Sequence, residues 1–401
     1  MNQNKKGLFC TADGHNYLWP FVLVTTLFFL WGFAHSILDV LNKHFQETLH
    51  IDKTRSALVQ AVVYGGYFLM ALPAGQLIRR FGYRMGVVTG LLLYSVGALL
   101  FIPGGNLQSF PFFLFSLFII GCGLTCLETA ANPYVTVLGS SEGAERRINL
   151  SQSFNGLGWI VGPLVGGYFA FSQGGGDISV PYAVIGMVVL CVAIVFMRVK
   201  LPEVEAEKEA CNAVGEPKSL WTHRNFVFGM IALFFYVAAQ TGINSFFINY
   251  VTETSPTISN DVAAQLLGYG GMSLFMMGRM GGGWLMARVR AERVLLTCAI
   301  GAALAMGVLL TGAGTIGVGA FFVCYLCESI MFPTIFSLSL RGVGSHTKLA
   351  SSFLIMTIVG GAVAPVVMGA IADHVSMSLA FIVPLICFVV IAAYSLYLDY
   401  K

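Results

Sequence analysis

Runs of about twenty apolar residues recur along this chain with only short polar breaks between them. A helix of that length crosses a hydrocarbon layer of about 30 Å at about 1.5 Å per residue. The first run starts at Leu18 and ends near Asn42. Others cover 57–78, 86–103, 110–136, 149–171 and 181–198, then 225–250, 262–287, 293–313, 316–340, 349–372 and 378–398. They divide six and six about the one long polar segment, Val199 to Arg224, whose Glu203, Glu205, Glu207, Lys208 and Glu209 read as a solvated linker. The pattern predicts an all-α membrane protein of 12 transmembrane helices. Residues 1–198 would form the first six-helix bundle, 199–224 a cytoplasmic linker and 225–401 the second bundle.

Composition agrees. With 57% hydrophobic and 10% charged residues and a mean hydropathy of +0.79, the chain lies far from soluble proteins, in which about a quarter of residues are charged. The polar first seventeen residues precede an apolar run too long for a cleavable signal peptide, so the first helix is expected to stay in the membrane. Net charge is only +3, and no basic stretch is interleaved with aromatics, which sets nucleic acid aside. Cys122, Cys126, Cys191, Cys298 and Cys387 sit within apolar runs as small core residues. Cys324 and Cys327 have CxxC spacing without a second pair, so no metal site is predicted.

Lys and Arg near spanning segments are retained on the cytoplasmic side. With both termini inside, the cytoplasmic segments collect nearly all the basic residues. The outer segments hold only Lys43, Lys53 and Arg55, and Arg279 alone lies inside a helix.

The halves echo each other. Cys126-Leu-Glu128-Thr-Ala-Ala-Asn-Pro133 is answered by Leu326-Cys-Glu328-Ser-Ile-Met-Phe-Pro333, and Gly75-Gln-Leu-Ile-Arg-Arg80 by Gly283-Trp-Leu-Met-Ala-Arg288. Two parallel six-helix repeats resemble the architecture of the major facilitator superfamily, where substrate binds near the midplane between the halves.

Ionisable groups at mid-helix depth are costly and default to functional candidates. Here they are Asp39, Glu128, Arg279 and Glu328. A carboxyl in a poorly solvated cavity exchanges its proton nearer neutrality than one in water, as proton coupling requires. Asp39, toward the outer end of its helix, could alternatively be an interfacial acid reaching headgroup water. Glu128 is deeper and shares a helix face with Asn132. Glu328 is its repeat partner, and Arg279 reads as a structural or gating ion-pair residue. Amides that could exchange hydrogen bonds with sugar hydroxyls cluster on two helices: Gln152 and Asn155 on the fifth, Gln240, Asn244 and Asn249 on the seventh. Such amides also serve as interhelical glue. Tyr64, Tyr67 and Trp159 read first as lipid or core packing, with stacking on a sugar as the alternative. The abundant glycines let apolar helices approach closely, and no G-x-x-x-x-G-K-[ST] phosphate loop points to ATP.

Five segments carry a more specific resemblance: Leu127-Glu-Thr-Ala-Ala-Asn-Pro-Tyr-Val-Thr-Val-Leu-Gly139, Arg147-Ile-Asn-Leu-Ser-Gln-Ser-Phe-Asn155, Gln240-Thr241, Phe332-Pro-Thr-Ile-Phe-Ser337 and Ser351-Ser-Phe-Leu-Ile-Met-Thr-Ile-Val-Gly-Gly361. They resemble the fucose-galactose-glucose proton symporter family, and most its L-fucose permease branch. The resemblance implies that Asp39 is the first-helix coupling acid, that Glu128 both binds sugar and titrates, and that Gln152 and Asn155 contact sugar. It also implies departures. Ala34-His35-Ser36-Ile37-Leu38 replaces an asparagine-rich stretch, Asn244 an aromatic, Glu328 a glutamine and Arg79 an acid of the loop signature.

The expectation is a non-enzymatic, proton-coupled importer of a monosaccharide, L-fucose first, working by alternating access without a cofactor. A glucose/galactose symporter and proton-linked efflux of amphipathic compounds are the alternatives, and sodium is the alternative ion. The partners expected are a small sugar and the lipid bilayer, with the protein a monomer in a bacterial inner membrane.

Overall fold

The computed structural model describes residues 17–138, 144–171, 178–199, 220–286, 288–341, 343 and 347–400. Most of the predicted linker lies outside these residues. Among them the chain is helical and crosses twelve times. The first bundle comprises α1 (Leu18–Thr48), α2 (58–81) and α3 (83–99), α4 (Phe110–Val137), α5 (Ala144–Phe171) and α6 (Ser179–Arg198). The second comprises α7 (Arg224–Thr254), α8 (260–286), α9 (Ala291–Leu310), α10 (Thr315–Ser339), α11 (347–374) and α12 (Met377–Asp399).

Helices α2 and α3 form one continuous helical stretch broken at Gly82, whose φ of 84° and ψ of 170° suit a residue without Cβ. Close approach sets the packing elsewhere. A Cβ on Gly121 of α4 would lie 2.5 Å from the Val63 carbonyl oxygen of α2, and one on Gly158 of α5 would lie 2.4 Å from that of Phe29 on α1. Each is too close for any larger residue, so these backbones touch. Side chains such as Leu72, Phe115, Val184, Met187 and Leu304 stand exposed on the outside, as a lipid-facing surface requires.

Some boundaries differ from the apolar pattern. Helix α1 runs on to Thr48, because its polar last turns are covered by the second bundle: Gln46 exchanges amide hydrogen bonds with Asn249. Helix α5 begins at Ala144, before the apolar run does. The second bundle is also less regular than predicted. Helix α8 contains a π-helical segment, Leu266–Met272, α10 breaks between Glu328 and Met331, and α11 tightens to a 3₁₀ turn at Thr357–Val359.

Several cross-bundle hydrogen bonds and ion pairs lie at mid-depth or in the half of the molecule away from the linker. Thr241 donates to the Tyr64 hydroxyl at 3.2 Å, and Asn42 to the Ser245 carbonyl at 2.6 Å. Lys53 pairs with Glu253 at 2.8 Å. Asp373 accepts from the backbone N–H groups of Lys53 and Thr54 at 3.0 and 2.8 Å and from the Thr54 hydroxyl at 2.6 Å. The bundles are latched at that end.

Candidate transport site

Asp39 lies nine residues, roughly 13 Å, from the end of α1. It is only 3% exposed, and its Oδ1 accepts from Gln60 Nε2 of α2 at 2.9 Å. This overturns the interfacial alternative: the carboxyl faces a protein amide, not headgroup water. One turn earlier on the same face, His35 is buried. Its Nε2 meets the Tyr67 hydroxyl at 2.9 Å, and its ring stacks on Trp159 of α5, with centroids 6.0 Å apart and planes at 14°. Tyr64 and Trp31 flank it at 5.8 and 6.3 Å.

The Tyr67 hydroxyl also faces the Glu128 carboxyl of α4. Glu128 and Asn132 line one narrow crevice with Leu27, Phe28 and Trp31, so these two are brought together as predicted. Gln152 Nε2 reaches Asn132 Oδ1 at 3.5 Å and joins the group from α5. Asn155 is nearby, but its Nδ2 donates to the Phe28 carbonyl at 3.1 Å, which ties α5 to α1 as an interhelical amide does. Asp39 and Glu128 thus lie in one bundle: the His35–Tyr67 pair reaches Glu128, Gln60 holds Asp39, and Tyr64 lies near both acids.

The second-bundle candidates gather less. Gln240 is half-buried beside Thr241, the residue that touches Tyr64. Asn244 is buried with its Oδ1 unpartnered among the described residues, while Asn249 belongs to the latch. Arg279 forms no ion pair among the described residues. Its Nε donates to the Ser329 carbonyl at 3.3 Å, and its guanidinium lies 4.8 Å from the Phe275 ring centroid. The predicted ion-pair role is therefore not seen; the guanidinium serves a backbone carbonyl freed by the break in α10. Glu328 is fully buried in that bundle, and no hydrogen bond among the described residues joins it to Asp39 or Glu128.

Sequence reasoning missed His35 and Gln60 and ranked packing above sugar stacking for Tyr64, Tyr67 and Trp159. A polar signal existed for the first two: His35 is four residues before Asp39, and Gln60 is polar within an apolar run. For the aromatics there was none, because a ring on a membrane helix has the same pattern whether it faces lipid or a cavity.

Two six-helix bundles latched at one end, with ionisable groups at mid-depth and interrupted helices, define a secondary transporter. Residues 22–358 match the model of the Major Facilitator Superfamily. The chain is 36% identical over 397 residues to the glucose/galactose transporter of Brucella abortus, covering 96% of this chain and 95% of that one. It is 35% identical over 411 residues to the L-fucose-proton symporter of Escherichia coli, covering 95% and 93%. The crystal structure of the transporter FucP in its outward conformation superposes with a TM-score of 0.68 at 34% identity, covering 95% of this chain and 99% of that chain. A bacterial homologue of the lysosomal transporter Spinster, inward-facing, superposes at 0.77 over 95% and 96%; at 13% identity it shows the fold alone. The chain belongs to the Major Facilitator Superfamily and, within it, to the family that holds these fucose and glucose/galactose carriers.

Proposed function

We propose that this protein imports a monosaccharide together with protons, L-fucose being the first candidate and glucose or galactose the second. The observation that carries the reading is the placement of both Asp39 and Glu128 in the first bundle with polar partners, Gln60 on Asp39 and Tyr67, which also meets His35, on Glu128. An acid held by an amide can lose and regain a proton, and a second acid beside an amide-bearing wall can trade hydrogen bonds with sugar hydroxyls. The aromatic faces suit the apolar side of a pyranose ring. An efflux carrier for amphipathic compounds would share those rings. The hydroxyl and amide partners of the acids, and relatives that carry sugars, favour sugar.

Both termini lie in the cytoplasm in this reading and the latched end faces outward, in a bacterial inner membrane. The conformer is then inward-facing, in keeping with a modest TM-score against the outward FucP. Protonation outside favours sugar binding, and deprotonation inside favours release, to the extent that proton and sugar bind the two states unequally. The carrier works as a monomer, with the proton as coupling ion.

The test is uptake of labelled L-fucose, galactose and glucose into proteoliposomes, with and without an inward pH gradient, and with sodium varied separately. One sugar should accumulate against its gradient only when the pH gradient is present. Equal counts for every sugar in both conditions would overturn the reading.

A further inference from the structure

Glu328 sits where α10 breaks. The break frees two backbone carbonyls, and both are met from neighbouring helices: the Tyr236 hydroxyl of α7 donates to the Glu328 carbonyl at 3.0 Å, and Arg279 of α8 donates to the next one at 3.3 Å. Helix α8 packs tightly here. A Cβ on Gly271 would lie 2.7 Å from the Tyr325 ring and one on Gly278 would lie 2.4 Å from the Ser329 hydroxyl. The backbone of the break is therefore well satisfied. The side chain is barely so: Glu328 is 0% exposed, neither carboxyl oxygen has a partner at ordinary hydrogen-bond geometry among the described residues, and the one donor near it is the weak Cys324 thiol.

An ionised carboxyl so placed would be an uncompensated buried charge, which a low-dielectric interior disfavours strongly. The titratable and charged groups around it are Tyr236 on α7, Arg279 on α8, and Cys324, Tyr325 and Cys327 on α10, with Cys298 of α9 behind Cys327. Arg279 is the one cation among them, and it is already bound to the residue next to Glu328.

We propose that Glu328 is a second proton carrier, neutral in this conformation and paired with Arg279 once it ionises. The proposal rests on the symport reading and adds a site in the second bundle to the acids of the first. In the step it describes, the Glu328 O–H bond breaks, the proton passes to water on the linker side, and the carboxylate's charge is met by the Arg279 guanidinium. The unwound turn after Glu328 is what allows the side chain to turn toward α8. Arg279 is then a positioning residue that decides when Glu328 can be charged.

Two measurements test this on the full-length protein. In proteoliposomes, simultaneous sugar and proton fluxes give the protons moved per sugar, a ratio that survives slowed turnover. Glu328→Gln should lower it by one, and an unchanged ratio would overturn the proposal. In detergent, infrared difference spectra over a pH titration should show a protonated-carboxyl band that is lost in Glu328→Gln and that persists to higher pH in Arg279→Gln. Absence of any Glu328-dependent band, or a band indifferent to Arg279, would also overturn it. The infrared titration needs no sugar, so a wild-type protein that moves none would sink the symport reading while Glu328 is still judged.

Discussion

A side chain that couples a proton to a solute must be isolated enough to hold the proton near neutral pH, yet have a partner for its ionised form. Asp39 meets both conditions, being buried and hydrogen-bonded to Gln60. Asp39→Asn should abolish uphill accumulation, a loss of about tenfold across a one-unit pH gradient for each proton uncoupled. Because protonation outside favours loading, wild-type uptake should fall as external pH rises, and the Asn variant should show a flatter profile in the same proteoliposome assay. Tyr67 offers one hydroxyl between His35 and Glu128. Tyr67→Phe leaves those polar groups short of a partner, at a cost of about 1–2 kcal/mol. Half-saturation for sugar should rise roughly 5–30-fold, as read by scintillation-proximity binding.

Among the elements, close backbone contact holds each bundle together, since apolar side chains gain little from burial against one another rather than against lipid. Gly121→Val would force a branched side chain against the Val63 carbonyl. Overpacking of this kind costs about 1–3 kcal/mol, so a clear drop in the midpoint of thermal unfolding in detergent is expected. The same substitution at Gly65, where an added Cβ meets nothing within 4 Å, should leave the midpoint near wild type. The first bundle's helices are mostly continuous apart from the bend at Gly82, while α8, α10 and α11 of the second are interrupted. Interrupted helices expose backbone groups and bend at defined places, which assigns the first bundle to holding the acids and the second to local movement around them.

For the whole molecule, the relevant quantity is the free-energy difference between conformers closed at one end or the other. Asp373 contributes three hydrogen bonds to the latch and Lys53–Glu253 an ion pair. Asp373→Ala removes charge-assisted bonds that exist only when this end is shut, so it should shift the equilibrium toward opening there by about 1–2 kcal/mol. Spin labels placed across the two bundles at that end should report a longer-distance population that grows roughly 5–30-fold. An unchanged distance distribution would show that the latch does not set the balance.

Apolar run length and the placement of basic residues were enough, by themselves, to determine twelve crossings, their six-and-six division and the depth of Asp39, Glu128, Arg279 and Glu328, because a bilayer demands a minimum span and penalises charge. Tertiary structure alone decided which of these groups meet. It placed His35, Tyr64, Tyr67 and Trp159 around the acids, turned Asn155 into a tie between helices, gave Asn249 to the latch, and left Glu328 apart from Glu128 despite their matching positions in the repeat. The reason is rotational: a helix that is apolar all round carries no pattern marking the face it turns inward. That face is set by which backbones can touch, and so by contacts between residues far apart in the chain.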